Sequence, residues 1–155
     1  MLNLRTALSR LNWPILIMLA AMIPLGWAVD TTGAARLMAE ALLALGPGGS
    51  AVAGVSVILL LGVIITPFVN NAATALVLAP VALALSAAGN LPPQPFLIAV
   101  ALGASIDFLT PFGHHNNTLI MGLGNYRFAD FLKAGWPLML MSMILGLAAI
   151  SIRWL

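Results

Sequence analysis

Two short stretches hold most of the side chains able to do chemistry. Residues 66–71 read Thr-Pro-Phe-Val-Asn-Asn, and residues 110–117 read Thr-Pro-Phe-Gly-His-His-Asn-Asn. Both lie inside runs of apolar residues. Proline removes a backbone donor and crowds the preceding turn, so each stretch predicts an interrupted helix. An interruption leaves carbonyls free at the end of one half and amides free at the start of the next. The carbonyl end is an oxygen cage for a hard cation such as Na⁺. The amide end suits a carboxylate or another oxyanion. Thr and Asn add neutral oxygens and amide donors without a buried charge. Discontinuous helices facing one another at the bilayer midplane are the architecture of secondary transporters. Two breaks, both carrying Asn pairs, therefore predict a transport site.

Composition sets the medium in which these residues work. The chain has 155 residues, of which 62% are hydrophobic and 6% charged. A soluble domain carries about a quarter charged residues, so the composition predicts an all-α integral membrane protein. No cysteine is present, which excludes disulfides and Cys-based metal sites. Six basic and four acidic residues are too thin a charge for a nucleic-acid face. No nucleophile–base pattern, G-x-G-x-x-G or Walker loop occurs, so neither an enzyme nor a cofactor site is expected.

The positioning elements follow from the apolar runs. Residues 13–29, bounded by Trp13 and Trp27, predict a transmembrane helix kinked at Pro24. A cleaved signal peptide is the rival reading of this run. Residues 31–45 predict a helix lying along the interface. Arg36 and Glu40 share one of its faces, and Leu37, Met38, Ala41 and Leu42 another. Gly-Pro-Gly-Gly at 46–49 ends it. Residues 50–89 predict two arms of roughly 15 to 17 residues around the first polar stretch. An arm of that length is about 22 Å long against a hydrocarbon core of about 30 Å, which favours a re-entrant hairpin over two spanning helices. Residues 96–124 predict one crossing broken at 110–117, and 134–153 the last transmembrane helix, after a polar loop at 125–133.

This order places Arg5, Arg10, Arg127 and Lys133 on one side of the membrane, and only Arg36 and Arg153 on the other. The positive-inside rule then puts the N-terminus in the cytoplasm and the C-terminus outside, in the inner (plasma) membrane.

The runs 12–37, 65–86 and 108–138, with the loop Gly-Asn-Tyr-Arg-Phe-Ala-Asp-Phe at 124–131, resemble the C-terminal part of the divalent-anion/sodium symporters. These form a citrate-transporter-like group of the ion transporter superfamily. The resemblance covers roughly 12–154 and implies the second of two inverted repeats. It implies Thr66, the Val69 carbonyl, Asn71 and the Leu109 carbonyl as Na⁺ ligands. It also implies Asn71, Thr110, Pro111 and Asn117 as contacts to a di- or tricarboxylate. Asn70 stands where the family's hairpin tip carries Ser, and Ala72 stands where it carries Thr. Thr74 is then the hydroxyl nearest the lost one.

Three further residues keep open readings. His114 and His115 could bind an anion as imidazolium, carry protons, or pack polar edges on a cavity wall. Adjacent histidines on an extended loop point apart, which disfavours a metal site. Asp107, inside the apolar run and expected one turn before the break, could hold a cation, take a proton, or sit neutral and hydrogen-bonded. The functional expectation is a sodium-coupled transporter of small anions working by alternating access, with H⁺ as the other coupling ion. The alternatives are an arsenite or Na⁺/H⁺-type exchanger of the same superfamily, and a truncated, non-transporting fragment or subunit. One repeat cannot close a two-sided site, so the expected partners besides anion and lipid are a missing first repeat or a second copy in a homo-oligomer.

Overall fold

The computed structural model describes residues 11, 13–45, 50–112 and 115–155. Arg5, Arg10, the 46–49 terminator and His114 lie outside the described residues, as does the side chain of His115. The described residues are helical with no strand. The helices are α1 (Trp13–Thr31), α2 (Ala34–Leu45), α3 (Ala51–Val69), α4 (Asn71–Ala88), α5 (Pro93–Gly103), α6 (His115–Gly124) and α7 (Phe128–Trp154).

The centre of the fold is the packing of α3, α4 and α5 on one another. Val55, Ile58, Leu59 and Val63 of α3 are buried together with Leu78, Val81 and Leu85 of α4 and Phe96, Ala99 and Val100 of α5. Helices α1 and α2 cover α4, and α7 crosses α5 and α3. Helix α1 continues through Pro24. A turn at Gly33, whose φ of 76° suits glycine, then starts α2. On α2 the buried positions are Ala35 and Ala39, with Leu42 packed partly against the core. Leu37 and Met38 of the expected apolar face are turned outward. Arg36 and Glu40 form an ion pair at 2.8 Å on the exposed face, as their spacing predicts.

Helices α3, α4 and α7 are each long and apolar enough to cross a membrane. This corrects the expected arm lengths around the first polar stretch. Helix α3 runs through Thr66, Pro67 and Phe68 to Val69, so the arms have 19 and 18 residues. Pro67 leaves the carbonyl of Val63 without its helical donor, yet the last turn survives. The Thr66 hydroxyl donates to the Gly62 carbonyl at 2.7 Å and the Asn70 amide to the Thr66 carbonyl at 3.2 Å.

The second break also differs. Helix α5 starts at Pro93, where a missing donor costs nothing. It ends at Gly103, six residues before Leu109. Asp107 therefore lies in non-helical chain and not in a helical turn before the break, and it is 4% exposed. An apolar run signals burial but does not separate buried helix from buried irregular chain. The last helix begins at Phe128, inside the expected 125–133 loop. There the Asp130 carboxylate accepts from the Arg127 amide at 2.8 Å and caps the first turn.

Candidate functional site

The first interruption is a single residue. Asn70 has φ 100° and ψ 159°, a region populated almost only by glycine. Its side-chain oxygen accepts from the Ala73 amide at 2.9 Å and its carbonyl from the Thr74 amide at 3.0 Å, so Asn70 caps α4. Among the described residues, the carbonyls of Pro67, Phe68 and Val69 accept no backbone hydrogen bond beyond the end of α3. Among the described residues, no hydrogen bond caps the amides of Asn71 and Ala72 at the start of α4. A helix end rich in oxygens and a helix start rich in donors thus lie on either side of one residue, and the two ends suit a cation and an anion respectively.

Thr74 lies in the same first turn. It is fully buried, and its hydroxyl has no hydrogen-bond partner among the described residues. The side chain expected to replace the hydroxyl lost at Ala72 therefore points into packed protein.

Helix α3 meets the end of α5 in a contact between glycines. A Cβ on Gly62 would stand 2.9 Å from Gly103 Cα, and one on Gly103 would stand 2.8 Å from the Leu59 carbonyl oxygen. Only two residues without side chains allow α3 and α5 to cross this closely. One turn beyond Gly62, the Thr66 hydroxyl lies 3.4 Å from the Gly103 carbonyl oxygen. That oxygen ends the first half of the broken crossing. Thr66 is fully buried, so its hydroxyl meets the end of α5 away from the surface, whereas Phe68 and Val69 at the tip are exposed.

The second interruption is closed by side chains. Asn117 Nδ2 donates to the Thr110 carbonyl at 3.1 Å and to the Asp107 carbonyl at 3.3 Å. The Thr118 hydroxyl donates to the Pro111 carbonyl at 2.7 Å. Irregular chain buried in an apolar protein needs such partners. Pro111 is among the fully buried side chains, while the Thr110 hydroxyl is buried with no partner among the described residues. Gly135 of α7 backs the segment so closely that a Cβ there would collide with the Phe108 carbonyl. Phe112 turns outward and its ring lies 6.2 Å from that of Phe128.

The structure thus brings Thr66 to the end of α5, and Asn117 to Asp107 and Thr110. Among the described residues, no hydrogen bond joins Asn70 or Asn71 to Thr110 or Asn117. A cleft of about 390 Å³ opens between the second interruption, α6 and α7, with Asn117, Tyr126 and Asp130 as its polar members. None of the hairpin-tip residues lines it. Sequence reasoning missed Gly62, Gly103, Gly135 and Thr118. Gly62 lies one helical turn before Thr66, a position that could have marked a close crossing. Thr118 was hidden by the better-known partner beside it.

Buried helices interrupted in pairs, with unpaired backbone groups held inside an apolar protein, define the class of membrane transport proteins. The chain belongs to the citrate transporter family, whose family model matches residues 1–154. It is 35% identical over 136 residues to the uncharacterized transporter YfbS of Escherichia coli, covering 88% of this chain and 22% of that protein. It is 29% identical to sodium/sulfate cotransporter 1 of Chlamydomonas reinhardtii, covering 86% of this chain and 15% of the relative. It is 26% identical to the sodium-dependent dicarboxylate transporter SdcS of Staphylococcus saprophyticus, covering 86% and 26%. The chain thus spans roughly a quarter or less of the length of these curated relatives. No solved structure matches it.

Proposed function

We propose that this chain forms most of the second repeat of an ion-coupled secondary transporter that moves small anions with sodium by alternating access. The observation that carries the reading is the crossing of α3 and α5 at Gly62 and Gly103, which sets Thr66 against the end of α5, below a tip where, among the described residues, the last carbonyls of α3 and the first amides of α4 have no backbone partner. Thr66, the Val69 carbonyl, Asn71 and the Leu109 carbonyl supply oxygens to Na⁺. Asn70, Asn71, Thr110 and Pro111 meet the anion, while Asn117, whose amide already serves the Asp107 and Thr110 carbonyls, holds the loop in place. Sodium neutralises the oxygens and orders the tip, and the anion then finds amide donors beside a fixed positive charge. In this reading residues 50–89 dip into the membrane as a hairpin, the N-terminus is cytoplasmic, and a complementary half closes the site. That half is supplied by further sequence or by a second chain.

The printed names of two relatives support sodium coupling and offer two anion classes, sulfate and dicarboxylate. Ala72 and the inward-facing Thr74 remove hydroxyls from the tip, which favours an anion read mainly by amides. The test is uptake of labelled citrate, succinate and sulfate by the complete transporter in liposomes, with and without a sodium gradient. Sodium-driven uptake of one of them, weakened at least about tenfold by Asn71→Ala and by Thr66→Val, is the expected result. Uptake indifferent to sodium and driven by acid pH would refute it and point to proton coupling through Asp107.

A further inference from the structure

We propose that Thr118 is a positioning residue for the cation site. Through its bond to the Pro111 carbonyl it holds the second interruption in the shape that aims the Leu109 carbonyl at the ion. The inference rests on the sodium-coupled reading above and assigns a role to a residue outside the ligand set.

Hydrogen bonds from Asn117 and Thr118 at the start of α6 run back to three backbone carbonyls of the interruption. Asn117 commits both hydrogens of its amide, to Asp107 and to Thr110, and has none left for Pro111. The bond from Thr118 to Pro111 is the shortest of the three, at 2.7 Å. It acts on a residue with little freedom left. The proline ring fixes φ, so only ψ remains, and ψ is what orients the carbonyl. Once Thr118 holds that oxygen, Pro111 has no soft dihedral. The residue before a proline is itself confined to extended conformations by the ring, so Thr110 is restricted as well and ψ of Pro111 is the freedom left for Thr118 to remove. Beside it, the Thr110 hydroxyl is buried and has no partner among the described residues, so the same segment also presents a group reserved for a bound ligand. Pro111 is packed on all sides, so the segment cannot relax by moving into solvent. Without the Thr118 bond, ψ of Pro111 is released and the oxygens around Thr110 no longer converge. The ion is then bound more weakly, while the steps that move the loaded site are untouched.

The experiment compares wild type, Thr118→Val and Thr118→Ser in the complete transporter reconstituted in liposomes. It reads the sodium concentration for half-maximal anion uptake separately from the maximal rate at saturating sodium. Thr118→Val keeps the shape and removes the donor, and is expected to raise half-saturating sodium about tenfold. The maximal rate should stay within about twofold of wild type. Thr118→Ser keeps the donor and should restore the wild-type sodium dependence. The same ranking should appear in the stabilisation against thermal unfolding by added sodium, a readout that needs no transport. Unchanged sodium dependence in Thr118→Val overturns the inference, as does Thr118→Ser behaving like Thr118→Val. A lower maximal rate with unaltered sodium affinity also overturns it. Sodium-independent uptake by the wild type is a separate failure, because it refutes the proposed function before any variant is considered.

Discussion

Replacing Gly103 by alanine is expected to drive the two interrupted helices apart. The added Cβ would meet the Leu59 carbonyl oxygen at 2.8 Å and Gly62 Cα at 3.1 Å, and both are backbone atoms that cannot rotate away. Comfortable contact between carbon atoms lies at about 3.5–4.0 Å, so α3 and α5 must separate by about half an ångström or more. Forcing an extra carbon into a close-packed interface costs about 1–3 kcal/mol. Alanine returns part of about 1 kcal/mol through helix propensity, and only part, because Gly103 is the last residue of α5. The net loss is about 1–2 kcal/mol, read by thermal or denaturant unfolding of the purified protein. Separation also pulls the Gly103 carbonyl away from the Thr66 hydroxyl, now at 3.4 Å, so sodium dependence should weaken along with stability. Gly62→Ala wedges the same crossing, and the double variant should cost less than the sum of the two. Gly122→Ala is the control. Nothing lies within 4 Å of a Cβ at that exposed helical position, and the change should stabilise by about 0.5–1 kcal/mol. A Gly103→Ala protein as stable as wild type, with unchanged sodium dependence, would refute the backbone contact as the joint between α3 and α5.

Asn70→Gly should stabilise the protein by about 1 kcal/mol, because relief of a strained backbone outweighs the few tenths lost with the cap. Asn70→Ala keeps the strain and loses the cap, so it should unfold at a lower temperature than either. Asp130→Ala should cost about 1 kcal/mol by removing the acceptor for the Arg127 amide, with hydrogen exchange rising in the first turn of α7 and not at its far end. Asn71→Ala and Thr66→Val should separate by readout. Asn71 is expected to affect both anion and sodium affinity, whereas Thr66 should affect sodium affinity with a smaller change for the anion.

The parts of the fold legible in the sequence are those governed by local rules. The Thr-Pro-Phe stretches mark two interruptions, and Arg36 pairs with Glu40 at its helical spacing. Helix α7 shows where local reading was incomplete. Asp130 follows Arg127 by three residues, a capping spacing, yet a stretch with Asn125, Arg127, Asp130 and Lys133 reads first as a polar loop. The second interruption was mislocated for a different reason. Residues 104–109 are almost as apolar as the helix before them, and hydropathy carries no information about backbone conformation once a segment is buried.

The sequence by itself determined the medium, the helical class and the places where helices must fail. Hydrophobicity, proline sterics and capping each act within a few residues of their source. Tertiary structure alone decided that α5 ends at Gly103 and that the carbonyls beyond it are held by Asn117 and Thr118. It alone decided that Thr74 faces inward and that Gly62 meets Gly103. A helix in an apolar surrounding can release its hydrogen bonds only where another segment supplies partners. Which segment does so depends on contacts between residues 41 positions apart in the case of Gly62 and Gly103, and no local pattern encodes that distance.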